Sequence, residues 1–197
     1  MKARAIIREI ISTIITFLVV FAVVWGIQKT IVQPFKVDGH SMDYTLQHGE
    51  RLFMWKLANI DRFDVVILKA PSNPEEKLYV KRVIGLPGDT VEVKDNKLIL
   101  NGKAMDEPYL AQKQAEYPGN FTEDFNLESI TGKAKIPEGY VFVMGDNRQN
   151  SLDGRSFGLI PMDYIIGEAD VVMWPVNKLG MLTKYKLNDT QDKIVER

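Results

Sequence analysis

Two hydrophobic patterns divide the chain. Residues 10–27 hold 18 positions without a charge, and apolar side chains would fall on every face of a helix through them. At ~1.5 Å per residue the run spans about 27 Å, close to the ~30 Å hydrocarbon core of a bilayer. A helix apolar all round belongs in lipid or deep inside a protein. Ile31 and Val32 can add a turn, so the expected membrane segment covers 10–32. Lys2, Arg4 and Arg8 precede it and only Lys29 closely follows it. The positive-inside bias therefore predicts a cytoplasmic N-terminus, residues 1–9, with everything after the span outside the cytoplasm. Trp25 suits the interfacial aromatic belt at the far end. A cleavable signal peptide is the competing reading. It would carry a shorter apolar region, ~7–15 residues, followed by a small-residue cleavage site. Residues 28–35 offer no such site, so the pattern favours a retained anchor.

Beyond the span the pattern changes to short β-rich runs punctuated by turns. Residues 51–55, 64–68 and 78–84 read as strands, the last broken by Gly85-Leu86-Pro87-Gly88-Asp89. Residues 90–94 and 97–100 around Asp95-Asn96 predict a hairpin. Asn101-Gly102 follows, the favoured type I′ dipeptide, so a third strand is expected near Lys103. From about 103 to 138 no period of two or 3.6 persists, which predicts an inserted, loop-rich subdomain less central than its flanks. Strand character returns at 140–144 and 169–174. A polar tail, 185–197, is expected to fray. The fold class expected is all-β, mostly antiparallel sheets, with one N-terminal transmembrane helix; residues 33–184 form the extracytoplasmic domain.

Composition narrows the chemistry. The 197 residues carry 25 basic and 26 acidic side chains, so there is no electrostatic footprint for nucleic acid. Cysteine is absent, which excludes disulfides, thiolate catalysis and Cys-ligated zinc. The two histidines, His40 and His48, are too few for a multi-histidine metal site, and no cofactor is expected.

Ser41 sits just past the membrane run, and Lys81 lies inside a strand-like apolar stretch. Each has an ordinary reading: a turn serine bonding locally, and a lysine snorkelling from an edge strand beside Arg82. In a strand, Lys81 and Arg82 point to opposite faces, and parity does not say which is buried. The chemical reading needs a neutral lysine. At a pKa of ~10.4 only about one amine in two thousand is neutral at pH 7. Burial can lower a lysine pKa by ~3–5 units, and Tyr79, Val80, Val83 and Ile84 are suitable desolvating neighbours. A neutral Lys81 could then deprotonate Ser41. His40 would point away from the Ser41 hydroxyl in an extended segment, and His48 has only Glu50 near it as an orienting group, so a histidine base is the weaker alternative.

Three segments together resemble the type I signal peptidases, in the compact Gram-positive form with one anchor. They are Ser41-Met42 with Thr45-Leu46, residues 79–89, and Gly145-Asp146-Asn147-Arg148-Gln149-Asn150-Ser151-Leu152-Asp153-Gly154-Arg155. Their order and spacing match over nearly the whole chain. The resemblance implies Ser41 as nucleophile, Lys81 as general base and Ser151 as the serine orienting the lysine amine. Asp153 and Arg155 match a supporting ion pair, and Asp146 matches the acidic residue of its turn. Gly39 and Met42 fall in the oxyanion and substrate vicinity. Two positions depart from the pattern. Tyr44 stands where the family usually has proline, which frees φ and adds an N–H. Gly39 stands where some members carry an oxyanion-hole hydroxyl, leaving the second donor beside the Ser41 N–H unnamed.

The activity implied is removal of signal peptides from exported preproteins after small residues at −3 and −1. Two alternatives are a Ser-Lys self-cleaving protease, which the anchor disfavours, and a non-catalytic membrane-anchored β-domain that binds exported chains. An apolar surface touching membrane lipid is also expected near the site, with Met54 and Trp55 as contributors.

Overall fold

The computed structural model describes residues 2–73 and 77–197. The apolar run folds as helix α1, Lys2–Thr30, and the stretch Ile6–Thr30 is long and apolar enough to cross a membrane. Among the described residues, none of the side chains in that stretch is buried within the protein. The helix stops earlier than the hydropathy suggested. Val32 opens strand β1, Val32–Lys36, so Ile31 and Val32 leave the span. Pro34 within β1 lacks a ladder N–H, which suits a sheet edge, and β1 is an edge strand.

The strands that follow are β2 Arg51–Trp55, β3 Val65–Lys69, β4 Leu78–Gly85, β5 Val91–Lys94, β6 Lys97–Leu100 and β7 Lys103–Met105. After them come helix α2 Ala111–Glu116, β8 Phe125–Asn126, helix α3 Leu127–Thr131 and β9 Tyr140–Met144. Helix α4 Gly154–Phe157, β10 Ile160–Pro161, β11 Ile165–Trp174, β12 Gly180–Met181, β13 Tyr185–Leu187 and β14 Ile194–Glu196 complete the chain. Among the described residues, eight strands form one sheet in the order β1-β2-β11-β3-β4-β9-β10, with β12 on β11. Four more form a second sheet, β7-β6-β5-β8. Every ladder is antiparallel.

The predicted hairpin closes through Asp95 (φ 49°) and Asn96 (φ 62°), and Asn101 (φ 54°) with Gly102 (φ 78°) turns β6 into β7. These paired positive φ values are the type I′ signature, whose twist matches that of the strands. The inserted region is less peripheral than its irregular pattern suggested. It buries Glu107, Leu110, Phe121 and Leu127. The polar tail does not fray: β13 and β14 form a hairpin, and Tyr185 and Ile194 join the core of the second sheet.

β4 lies between β3 and β9. Both of its hydrogen-bonding edges are therefore paired, and Lys81 and Arg82, on opposite faces of the strand, are both buried, at 2% and 1% exposure. The edge-strand reading is overturned by tertiary pairing. β9 leaves the ladder after Met144, which is opposite Arg82, so Lys81 faces the start of the loop at Gly145.

Candidate active site

Ser41 is carried by a tight turn. Thr45 and Leu46 N–H both donate to the Met42 carbonyl, at 3.0 and 2.8 Å, and Asp43 N–H donates to His40 at 3.2 Å. Met42 and Leu46 are buried among Val37, Leu52, Met54 and Val80, which seats the turn on the sheet. From the other side the 145–155 loop grips it. Asn147 N–H donates to the Ser41 carbonyl at 3.0 Å, and Asn147 Nδ2 donates to the His40 carbonyl at 2.8 Å. Asp146 N–H reaches the Met42 sulfur at 3.5 Å. Gly145 is glycine for want of room: a Cβ there would run into the Ser41 carbonyl and the Ser151 side chain.

Lys81 Nζ lies 2.7 Å from Ser41 Oγ and donates to the Val80 carbonyl at 3.0 Å. The Tyr79 ring centroid is 5.2 Å from the same nitrogen. Burial pushes the Lys81 ammonium down; Asp153 and Asp146 pull it partly back, and the balance falls at about 8. A neutral amine at that distance can take a hydroxyl proton.

Asp153 and Arg155 pair through two bonds, Nε–Oδ1 and Nη2–Oδ2, both 2.9 Å. Asp153 also accepts the Gly145 N–H at 2.9 Å, and Arg155 Nη2 donates to the Arg148 carbonyl at 2.9 Å. Burial would raise the Asp153 carboxyl, but Arg155 and the Gly145 N–H outweigh it, so the group is held below its usual range. Ser151, which the resemblance assigns to orienting the lysine amine, lies in the same loop. Its hydroxyl is buried and near enough to Asp153 to favour the carboxylate, yet it meets the geometry of a hydrogen bond with no group. The hydrogen-bond partners of the Lys81 amine are Ser41 Oγ and the Val80 carbonyl.

Gly39 (φ 105°) donates its N–H to His48 Nδ1 at 3.1 Å, so that N–H is already engaged. No protein acceptor takes the Ser41 N–H among the described residues. His40 Nδ1 lies 3.1 Å from Asp43, and the His40 and His48 rings stand 5.6 Å apart. Neither histidine is hydrogen-bonded to Ser41.

Sequence reasoning missed the buried polar network beneath this turn. Arg82 forks onto Asp146 (2.9 and 2.7 Å), donates to the Phe63 carbonyl at 2.7 Å and lies 4.1 Å over the Tyr109 ring. Thr45 Oγ1 donates to the same Asp146. Arg148 forks onto Glu107 (Nη1–Oε2 2.9 Å), and the Tyr109 hydroxyl donates to Glu107 at 2.6 Å. The available signal was chemical: an arginine, always charged, buried in an apolar strand requires a buried counter-charge, which Asp146 supplies to Arg82. Asp89, at the end of the second motif, fixes its own turn by accepting from Arg62, Leu86 N–H and Asn101.

The family described as signal peptidase, peptidase S26, matches residues 8–174. The chain belongs to that family. It is 44% identical over 151 residues to signal peptidase I of Bacillus caldolyticus, covering 74% of this chain and 81% of that one. It is 39% identical over 176 residues to signal peptidase IB of Staphylococcus aureus (strain MRSA252), covering 85% and 88%. A crystal structure of a signal peptidase I from Enterococcus faecalis V583 superposes with a TM-score of 0.54 at 39% identity. It covers 56% of this chain and 97% of its own. The matched family region runs from within α1 to the last residue of β11, so it takes in Ser41, Lys81 and the 145–155 loop.

Proposed function

We infer that this protein is a membrane-anchored serine endopeptidase that removes signal peptides from exported preproteins, using Ser41 and Lys81 as a dyad. The observation that carries the reading is the 2.7 Å contact between Ser41 Oγ and a buried Lys81 Nζ. With Lys81 at about 8, about one amine in ten is neutral at pH 7, against about one in two thousand for a free lysine. Neutral Lys81 takes the Ser41 proton as Oγ attacks the scissile carbonyl. The Ser41 N–H is available to the developing oxyanion. The ammonium then protonates the leaving amine, giving an acyl ester on Ser41. Lys81, neutral again, activates the water that releases the signal peptide. Asp153, Arg155, Asp146 and Asn147 hold the two side chains in register rather than touching substrate. Ser151, buried beside Asp153, belongs to the same supporting group.

The substrate would lie extended against exposed backbone by β-addition. Val37, Met42 and Val80, packed together next to the dyad, would wall shallow pockets that exclude large groups at −3 and −1. The anchor holds the enzyme at the surface where its substrate is tethered, with residues 1–9 cytoplasmic and the catalytic domain outside. Lipid contact falls to a different set than expected. Met54 is 1% exposed and lies in the core, because β2 alternates and only Arg51, Phe53 and Trp55 face outward. Trp55, Phe53, Trp174, Val176, Leu179 and Met181 are the exposed apolar residues of β2 and of the β11–β12 connection, and they would face the bilayer.

The deciding experiment is preprotein cleavage by the full chain and by Ser41→Ala and Lys81→Met in detergent. Both variants are expected to lose activity by at least about three orders of magnitude. Wild-type cleavage by either would remove its residue from the mechanism.

A further inference from the structure

The Ser41 turn is held from below by Asp146 and the apolar core, and it is also gripped from the side. Tyr44 projects away from the core and its backbone stands at φ 80°. That left-handed region is one an aromatic residue rarely adopts, and proline, with φ near −65°, could not occupy it. Such outliers persist where the surroundings over-determine them. Two contacts from α2 do so here. The Tyr44 hydroxyl donates to the Glu116 carboxylate, and Lys113 Nζ stands 4.8 Å over the Tyr44 ring. Lys113 and Glu116 are three residues apart, on one face of the helix. The hydrogen bond to Glu116, followed by burial, raises the phenol above its usual value, so it stays a donor through the neutral range.

The dependence runs both ways. α2 has six residues, none buried, and a helix of that length has little stability of its own. Its C-terminal end is tied to the 145–155 loop, where Tyr117 donates to Gln149 at 3.4 Å and Gln149 Nε2 donates to the Phe121 carbonyl at 2.8 Å. Tyr44 also lines two clefts. One, of about 400 Å³, is shared with Arg82, Tyr109 and Gln112. The other, of about 520 Å³, is shared with His40, Asp43 and His48.

We propose that Tyr44 is a positioning residue, whose contacts with Glu116 and Lys113 lock the Ser41 turn, with the Tyr44 side chain itself standing between the two clefts. The inference rests on Ser41 being the nucleophile. It assigns the inserted subdomain a part in turnover: α2 acts through Tyr44 on the angle at which Ser41 meets Lys81.

The test uses full-length protein in detergent with a signal-peptide-derived fluorogenic peptide. Tyr44→Phe keeps the ring beneath Lys113 and loses the bond to Glu116. It is expected to lower kcat about tenfold with KM changed less than about twofold, the kinetic equivalent of one charge-assisted hydrogen bond. Glu116→Ala removes the acceptor and should do the same, and the double variant should be no slower than the worse single one, because both remove one interaction. Tyr44→Pro should fall further, since it forces φ out of the observed region. Wild-type kcat in Tyr44→Phe, additive losses, or a change confined to KM would each overturn the proposal, as would a fully active Tyr44→Pro. Ser41→Ala in parallel separates the two readings. If it still cleaves, the assignment of the nucleophile fails; if it is dead while Tyr44→Phe is unaffected, only the brace fails.

Discussion

At the residue scale, the proposed chemistry depends on one amine kept where it is poorly solvated. Lys81 falls from 10.5 to about 8 chiefly through burial, a shift worth about 3 kcal/mol. The unfolded chain binds the Lys81 proton more tightly than the folded one. Stability therefore bears the full cost below pH 8 and recovers as pH rises from about 8 to 10.5. Lys81→Met should accordingly raise the unfolding temperature at pH 7, with the gain shrinking by pH 10.5. In the wild type, kcat/KM should climb through a limb near pH 8 as the amine becomes neutral. A flat profile from pH 6 to 9 would remove Lys81 as base. Gly145 offers a steric test. An alanine there has to displace the Ser41 carbonyl or Ser151, and a shift of about 1 Å at a reacting group can cost about a hundredfold in rate. Gly145→Ala should lose about that much kcat in the same peptide assay.

At the element scale, the site is built where β4 outruns β9. Central placement desolvates Lys81, and the end of the β9 ladder opens the space that the 145–155 loop fills. Much of this was legible as separate pieces. The strands at 51–55, 78–84 and 140–144, the type I′ hairpin and the three motifs can all be read from local pattern. Their pairing cannot, because β2 and β3 meet β11 about a hundred residues away. The inserted subdomain was underread for a similar reason. Its two anchors, the buried Glu107 and the partly buried Tyr109, sit in polar, aperiodic surroundings and gain meaning only opposite Arg148 and Arg82. Removing one partner of a buried ion pair costs about 3–5 kcal/mol. Glu107→Ala should therefore destabilise the protein by about that amount, with Glu107→Gln costing less, as denaturant titration would report.

At the scale of the whole molecule, the proposed encounter with a membrane rests on one apolar helix and one exposed apolar rim. Deleting α1 should reduce cleavage of a membrane-inserted preprotein by about two orders of magnitude or more, through lost effective concentration, while a soluble peptide is cleaved nearly as before. In that shortened protein, replacing Trp174 and Leu179 by serine should abolish co-sedimentation with lipid vesicles, because both are exposed and large. Equal loss on both substrates would instead mean that α1 supports the fold of the domain.

Hydropathy and motif order by themselves determined the anchor, the β class, the Ser41 and Lys81 pair and the family resemblance. These are properties of local composition and spacing. Tertiary structure alone decided that both Lys81 and Arg82 are buried, that the Val80 carbonyl accepts from the Lys81 amine, and that Met54 lies inside while Trp55 faces out. It also decided that the 185–197 tail is a packed hairpin and that Tyr44 is braced by α2. Each of these depends on which distant strand or loop supplies the neighbour. Burial and hydrogen bonding are set by those neighbours, which a one-dimensional pattern does not contain.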